Sequence, residues 1–292
     1  MTKNTPLSQY RNTTGLAAQV ASLLNCKDSD GPKYSAHDFS TFDHLHSRGR
    51  AATRELSDFL TVHPGSNLLD VGCGIGGPAR FIAERFVCNV HGIDLTKDFC
   101  DTADLLNCLS GLDSRIKITQ GDALSLPYPD NSFDTVWTQH TSMNILNKEQ
   151  FYSEIHRVLK PGGMFLFHDI FSNDTNHTTE EHKILLPVPW ASKPEHNHLV
   201  PGEITRDLLG DLGFHREIWN NVTAETHLWF HNYNINKVQK NNSRENNIPK
   251  NLPAGLGPKL FMGDDFQFRV QNLKQNLADN KLAVIQGVFR RS

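Results

Sequence analysis

The sequence predicts an α/β fold built on a doubly wound, mostly parallel sheet. Two observations carry that reading. From about residue 67 onward, short apolar runs alternate with segments whose apolar residues recur at helical spacing, which is the pattern of βαβ units. The first of these runs passes through a glycine-rich turn directly into a helix. With 292 residues the chain can bury a full core as one large domain, or as a domain with a cap.

Residues 1–64 read as a helical lead-in and lid: 15–24 (GLAAQVASLL) and 50–60 (RAATRELSDFL) carry apolar residues three and four apart, joined by a polar connector at 28–40. Residues 65–171 are the expected ligand-binding core, with strands at 67–71, 89–93, 116–119, 133–137 and 164–170 and helices at 77–86, 97–109 and 148–159. Residues 172–292 break the alternation. They open on a polar, proline-containing stretch too long for a tight βα loop, a candidate substrate loop. A helix at 201–212 and a strand at 214–219 follow. An insertion at about 222–280 is expected to form a cap or a homodimer contact, and its Asn- and Lys-rich run 231–251 is expected to be mobile. A helix at 266–277 and a strand at 282–289, placed to pair back into the sheet, close the chain.

Composition excludes several classes. The 29 Lys and Arg against 32 Asp and Glu leave a formal charge of -3, too little positive charge for a partner bound through many phosphates, so nucleic acid is not expected. No run is apolar enough for a membrane helix and the N-terminus lacks an apolar signal core, so the expectation is a cytoplasmic protein with no membrane partner. Five cysteines without a C-x-x-C pair suit a reducing compartment. His182, His196 and His198 with Glu181 and Glu195 lack a dependable ligand spacing, and no metal is expected.

The first strand runs into Asp70-Val71-Gly72-Cys73-Gly74-Ile75-Gly76-Gly77, a turn where a ligand can approach backbone N–H groups closely. Its spacing satisfies G-x-G-x-x-G, and Asp94 ends the second strand where a carboxylate can hold a ribose diol, so a dinucleotide has to be weighed. Asp70 discriminates. At the mouth of the turn an acidic side chain would repel a pyrophosphate, whereas it attracts the ammonium and sulfonium of S-adenosylmethionine. The other reading of Asp70 is that it only caps the turn.

Four segments in order, LLDVGCGIGGPAR (68–80), HGIDL (91–95), GDALSLPYPDNSFDTVWTQH (121–140) and HRVLKPGGMFLFHD (156–169), resemble the motifs of class I S-adenosylmethionine-dependent methyltransferases, within them the type 11 small-molecule group that includes ubiquinone/menaquinone C-methyltransferases and sarcosine/dimethylglycine N-methyltransferases. The resemblance implies a Rossmann-like, seven-stranded sheet with its last strand antiparallel, N-terminal helices and a helical or loop cap. It implies that Asp70, Gly72, Cys73 and Gly74 surround the methionine moiety of S-adenosylmethionine, that Asp94 and Leu95 hold the ribose and flank the adenine, that Asp122 and Ala123 meet the adenine edge, and that Gln139 contacts the amino group. The chain departs from the commonest pattern at Asn144, where many relatives have His, which removes the base that the family places there.

The implied activity is methyl transfer to a small-molecule nitrogen, oxygen or carbon; the alternatives are an NAD(P)-dependent oxidoreductase, or a cofactor-binding domain without catalysis. An amine acceptor needs little beyond a near-attack geometry, while a hydroxyl or activated carbon must lose a proton. His140 and His168, at the ends of two parallel strands, are the candidate catalytic bases, each with a structural role as its alternative. Asn144, Trp190 and His46 are candidates to line the acceptor site, with core packing the alternative for Trp190. His46 and Arg48 are also placed to close over the cofactor's carboxylate.

Overall fold

The computed structural model describes residues 15–26, 32–173, 183–239, 252–253 and 255–292. Helices α1 (Leu16–Leu24), α2 (Ala36–Phe39) and α3 (Gly49–Ser57) lead into β1 (Asn67–Val71), α4 (Gly77–Arg85), β2 (Asn89–Asp94), α5 (Lys97–Leu109), β3 (Ile116–Gln120) and β4 (Phe133–Gln139). Next come α6 (Lys148–Val158), β5 (Leu159–Ser172), α7 (Gly202–Asp211), β6 (Phe214–Asn221), α8 (Thr223–Gln239), α9 (Pro258–Met262), α10 (Phe266–Ala278) and β7 (Leu282–Arg291).

The sheet order is β3-β2-β1-β4-β5-β7-β6. β1 pairs in parallel with β2 and β4, β2 with β3, and β4 with β5, while β7 runs antiparallel to both β5 and β6. The last strand is therefore antiparallel to its neighbours, as the sequence implied. β1 reads as a continuous apolar run because both its faces are covered: Leu69 and Val71 pack with Phe151 and Ile155 of α6, whereas Leu68 packs with Ala79 and Ile82 of α4. The chain reverses direction across the sheet between β1 and β4. Open α/β sheets bind ligands at such a switch point, beyond the carboxyl ends of the strands, and Asp70 and Gln139 occupy those ends here.

The structure adds two elements to those expected. The connector 28–40 holds α2, a single turn stabilised by a capping box in which Ser35 and Asp38 bond each other's backbone. The short α9 was not anticipated. The run 231–251, expected to be mobile, is helical as far as Gln239, and its remainder lies outside the described residues. α8 begins where Thr223 is held by the Asn221 side chain, and its first half buries Phe230 against Leu273 and Leu277 of α10. Once that apolar half is nucleated, extension through polar residues is cheap. Among the described residues no helix is long and apolar enough to cross a membrane.

Candidate active site

Asp70 is 1% exposed at the end of β1, and its Oδ2 has no hydrogen-bond partner. Burial, with the Asp94 carboxylate as the second cause, pushes its carboxyl up from 3.8 to about 8. It does not spend that oxygen on capping the turn, so an acid is kept buried and unmatched at the mouth of a glycine turn. A cationic ligand group is the partner that resolves this. Beyond it, Gly72 and Cys73 both donate to the Ile93 carbonyl, at 2.8 and 3.1 Å, which folds the turn over β2. Gly72 sits at φ +75°, and a Cβ there would collide with the Thr141 hydroxyl. Only glycine meets both demands.

Asp94 does more than the sequence suggested. One carboxylate oxygen accepts from the Gly74 amide and the other from the Thr96 amide, each at 2.9 Å, so it clamps the glycine turn to the end of β2. Burial raises its carboxyl while those amides pull it back. Leu95 follows, half-buried. Asp122 accepts from the Leu124 amide at 2.9 Å, and Ala123 packs against the core beside it. Gln139 is buried, its Oε1 accepting from Thr53 Oγ1 at 3.0 Å and from the Trp137 indole at 3.2 Å, with its Nε2 left unpartnered.

The N-terminal segment completes the site. The turn before α3 brings His44, His46, Ser47 and Arg48 over the ends of β4 and β5. His140 and His168 stack with ring centroids 5.3 Å apart, and His46 lies 5.9 and 5.8 Å from them. Ser47 Oγ sits between the Nε2 atoms of His140 and His168, at 3.0 and 3.2 Å. His46 is engaged at both nitrogens, with the Ser47 carbonyl and with Thr53 Oγ1, each at 3.1 Å. Burial lowers all three rings: His168 to about 3, with the nearby Arg48 charge adding to the effect, and His46 and His140 well below the ordinary histidine value. At neutral pH they are neutral hydrogen-bonding groups. Arg48 is buried, bonded to Glu55 through one terminal nitrogen while the other has no partner.

Below this segment, Arg80 of α4 is fully buried and donates at 2.9 Å to Asp43 Oδ2, at 2.8 Å to the Ile75 carbonyl inside the glycine turn, and at 3.0 Å to Asn107 Oδ1. Burial alone would raise Asp43, but His44 and Arg80 beside it hold the carboxyl at about 2. A Cβ at Gly77 would collide with the Asp43 carbonyl, so the segment rests directly on the start of α4.

Asn144 closes a 3-10 turn, Ser142–Asn144, and its Oδ1 is buried without a partner. The turn is fixed by Asp169, which accepts from the Ser142 amide at 2.9 Å. Lys148 binds the carbonyls of Ser142, Ile145 and His198 at 2.5, 2.6 and 2.7 Å, tying the post-β5 segment to that turn. Trp190 is 1% exposed, among Met143, Val188, Leu199 and Leu277, with its indole N–H donating to Asn197 at 2.9 Å. It is a core residue of the layer behind the turn. His196 and His198 are described and His182 is not; among the described residues no group of three or more His, Cys, Asp or Glu could hold a metal ion. The cysteines are free thiols.

Sequence reasoning brought His46, Arg48, His140 and His168 forward and missed Asp43, His44, Ser47, Thr53 and Arg80. The run FDHLHSRGR at 42–50, with histidines two apart beside a serine and an arginine, held the signal.

Residues 69–167 match the family model described as a methyltransferase domain. A sterol 24-C-methyltransferase of Gibberella zeae is 37% identical over 171 residues, which is 56% of this chain and 45% of that protein. The chain spans less than half the length of the sterol methyltransferases it matches. The fold is similar to that of the 4+2 cyclase SpnF, with a TM-score of 0.64 and 21% identity across 98% of this chain and 96% of that one. It is also similar to a geranyl diphosphate methyltransferase solved with S-adenosylmethionine, with a TM-score of 0.62 and 18% identity across 84% and 86%. At such identities these structures speak to the fold alone, and that one of them is a cyclase makes the point.

Proposed function

We propose that this chain, whose residues 69–167 match the methyltransferase-domain family model, transfers the methyl group of S-adenosylmethionine to a small-molecule acceptor. The observation that carries the reading is the Asp70 carboxyl group buried at the mouth of the glycine turn with its Oδ2 unpartnered. It suits an ammonium beside a sulfonium and would oppose a pyrophosphate, which disfavours the NAD(P) alternative. Gly72, Cys73 and Gly74 line the methionine moiety, Asp94 and Leu95 the ribose and adenine, Asp122 and Ala123 the adenine edge, and Gln139 offers its free Nε2 nearby. Arg48, with one unpartnered nitrogen, faces the carboxylate.

S-adenosylmethionine supplies a methyl group on a good leaving group, so most of the rate enhancement comes from positioning and from excluding water. His140 and His168 touch the acceptor at the ends of β4 and β5 as neutral polar walls, with His46 above them and the Asn144 turn and Trp190 layer closing the far side. Residues 1–64 act as the lid and the insertion at about 222–280 as a cap or dimer contact. The acceptor is a nitrogen, oxygen or carbon nucleophile, and the setting is cytoplasmic without nucleic-acid or membrane partners, in keeping with the near-neutral charge.

The test is thermal shift with S-adenosylmethionine, NAD(H) and NADP(H) in parallel, because a ligand of the native state raises its melting temperature. The expected result is a shift with S-adenosylmethionine alone. A shift with a dinucleotide in its place would end the reading, and cofactor binding without turnover across a broad acceptor panel would leave a binding domain.

A further inference from the structure

We infer that His44, oriented by Asp43, is the base that takes the proton from a hydroxyl-bearing acceptor. The inference rests on the methyltransferase reading. It follows from accounting for the ring nitrogens of the four clustered histidines. His46 faces the Ser47 carbonyl with one nitrogen and, with the other, the Thr53 hydroxyl, whose single proton it shares with Gln139. His140 and His168 share one serine hydroxyl through their Nε2 atoms, and since Ser47 has a single proton to donate, at most one ring accepts from it and at least one donates to it. Ser47 thus excludes the pair in which both Nε2 atoms are bare.

His44 differs. Its Nδ1 lies 2.6 Å from Asp43 Oδ1, and a carboxylate only accepts, so Nδ1 carries the proton. In the neutral ring the lone pair is then on Nε2, which is buried and has no partner. The His44 side chain is 1% exposed and the Asp43 side chain is fully buried. Asp43 is in turn fixed by Arg80 at 2.9 Å, and Arg80 also holds the Ile75 carbonyl of the glycine turn. The orienting carboxylate is thus anchored to the turn proposed for the methyl donor. On its other side the His44 ring lies 5.7 Å from His46, the histidine nearest the proposed acceptor walls. An imidazole with one nitrogen held by an anchored carboxylate and the other free is the arrangement a general base requires.

In the step, the acceptor oxygen forms a bond to the methyl carbon as the carbon–sulfur bond breaks, its electron pair remaining on sulfur. The hydroxyl proton passes to His44 Nε2, and the resulting imidazolium is balanced by Asp43. The polar surroundings, Ser47, Thr53, Gln139 and four histidines, suit a hydroxyl better than an alkene.

The test uses the full chain with ¹⁵N-labelled histidine, loaded with S-adenosylhomocysteine, with phenol as the hydroxyl probe. The expected spectrum shows His44 protonated on Nδ1 and bare on Nε2, with the Nε2 resonance moving as phenol is added. In His44→Gln, phenol should bind roughly tenfold more weakly, the loss of about one hydrogen bond, while S-adenosylhomocysteine affinity is unchanged. A proton on Nε2, or an Nε2 resonance that phenol leaves in place, would overturn the assignment. The tautomer is readable without any ligand, so failure of S-adenosylhomocysteine to bind would count against the methyltransferase reading and leave the His44 result to be judged by itself.

Discussion

The two halves of the site are built in opposite ways. The half around Asp70, the glycine turn and Asp94 comes from one βαβ unit, with every key residue between 70 and 94. The half around the histidines is assembled from a segment at 43–53, the end of β4 at 139–140 and β5 at 168. The first half buries an acid without a partner; the second buries neutral histidines. A site made by one local motif can be read from the sequence, while one made by distant segments meeting over strand ends has no local signature.

The largest expected effect tests what joins the halves. Arg80→Leu removes the partner of the buried Asp43 charge and the bond to the glycine turn, and should lower stability by about 3–5 kcal/mol in denaturant unfolding. A loss under about 1 kcal/mol would mean that the halves are held together by something else.

Their opposite ionisation gives a second contrast. The Asp70 carboxyl lies at about 8 in the folded chain against 3.8 ordinarily, so the folded state holds the proton more tightly, and stability should fall as pH rises across that window. His168 lies at about 3 against 6.5, so the unfolded state takes up the proton first, and stability should fall as pH drops through that window. Asp70→Asn should flatten the first slope and His168→Gln the second, each by on the order of 2–3 kcal/mol over its window in pH-dependent melts. If either variant changed the slope assigned to the other, the contrast would fail.

A smaller effect probes the seat of the N-terminal segment. Gly77→Ala pushes a methyl group into the Asp43 carbonyl and should cost about 1–3 kcal/mol. It should also disturb the His44 resonances more than those of His168. Smallest is Lys148→Met, which unties His198 from the turn at 142–145 and should cost about 1–2 kcal/mol, because relief of burying the ammonium offsets part of the lost bonding. Limited proteolysis within 183–200 should quicken; unchanged cleavage would show that the apolar contacts of Trp190 hold that segment unaided.

The strands were legible as short runs bounded by turn residues, largely buried except at the sheet edges β3 and β6, and their observed ends move by only a few residues from those expected, apart from the longer start of β5. Helix α2 escaped because four residues offer no periodicity, although Ser35 and Asp38 spell its cap. Composition did not show the extent of α8: the Asn-rich stretch has little to bury, and it follows a half that does. The motif residues Asp70, Gly72 and Asp94 were legible one by one, but the clamp of Asp94 on the Gly74 amide was not, since a strand-end carboxylate looks the same whether it holds a ribose or a turn. Nor could sequence say that Ser47 would reach two histidines 93 and 121 residues away.

The central claim, that Asp70 is kept unmatched for a cationic ligand group, is tested most directly by calorimetric titration of S-adenosylhomocysteine into wild type, Asp94→Ala and Asp70→Asn. Asp94→Ala should weaken binding, partly by releasing the glycine turn. Asp70→Asn breaks no hydrogen bond made by the unpartnered Oδ2, so any loss reports the charge itself. The account predicts binding to wild type that Asp70→Asn weakens by tenfold or more while raising the stability of the unliganded protein near neutral pH. Equal affinity in wild type and Asp70→Asn, or no binding to wild type, would contradict it.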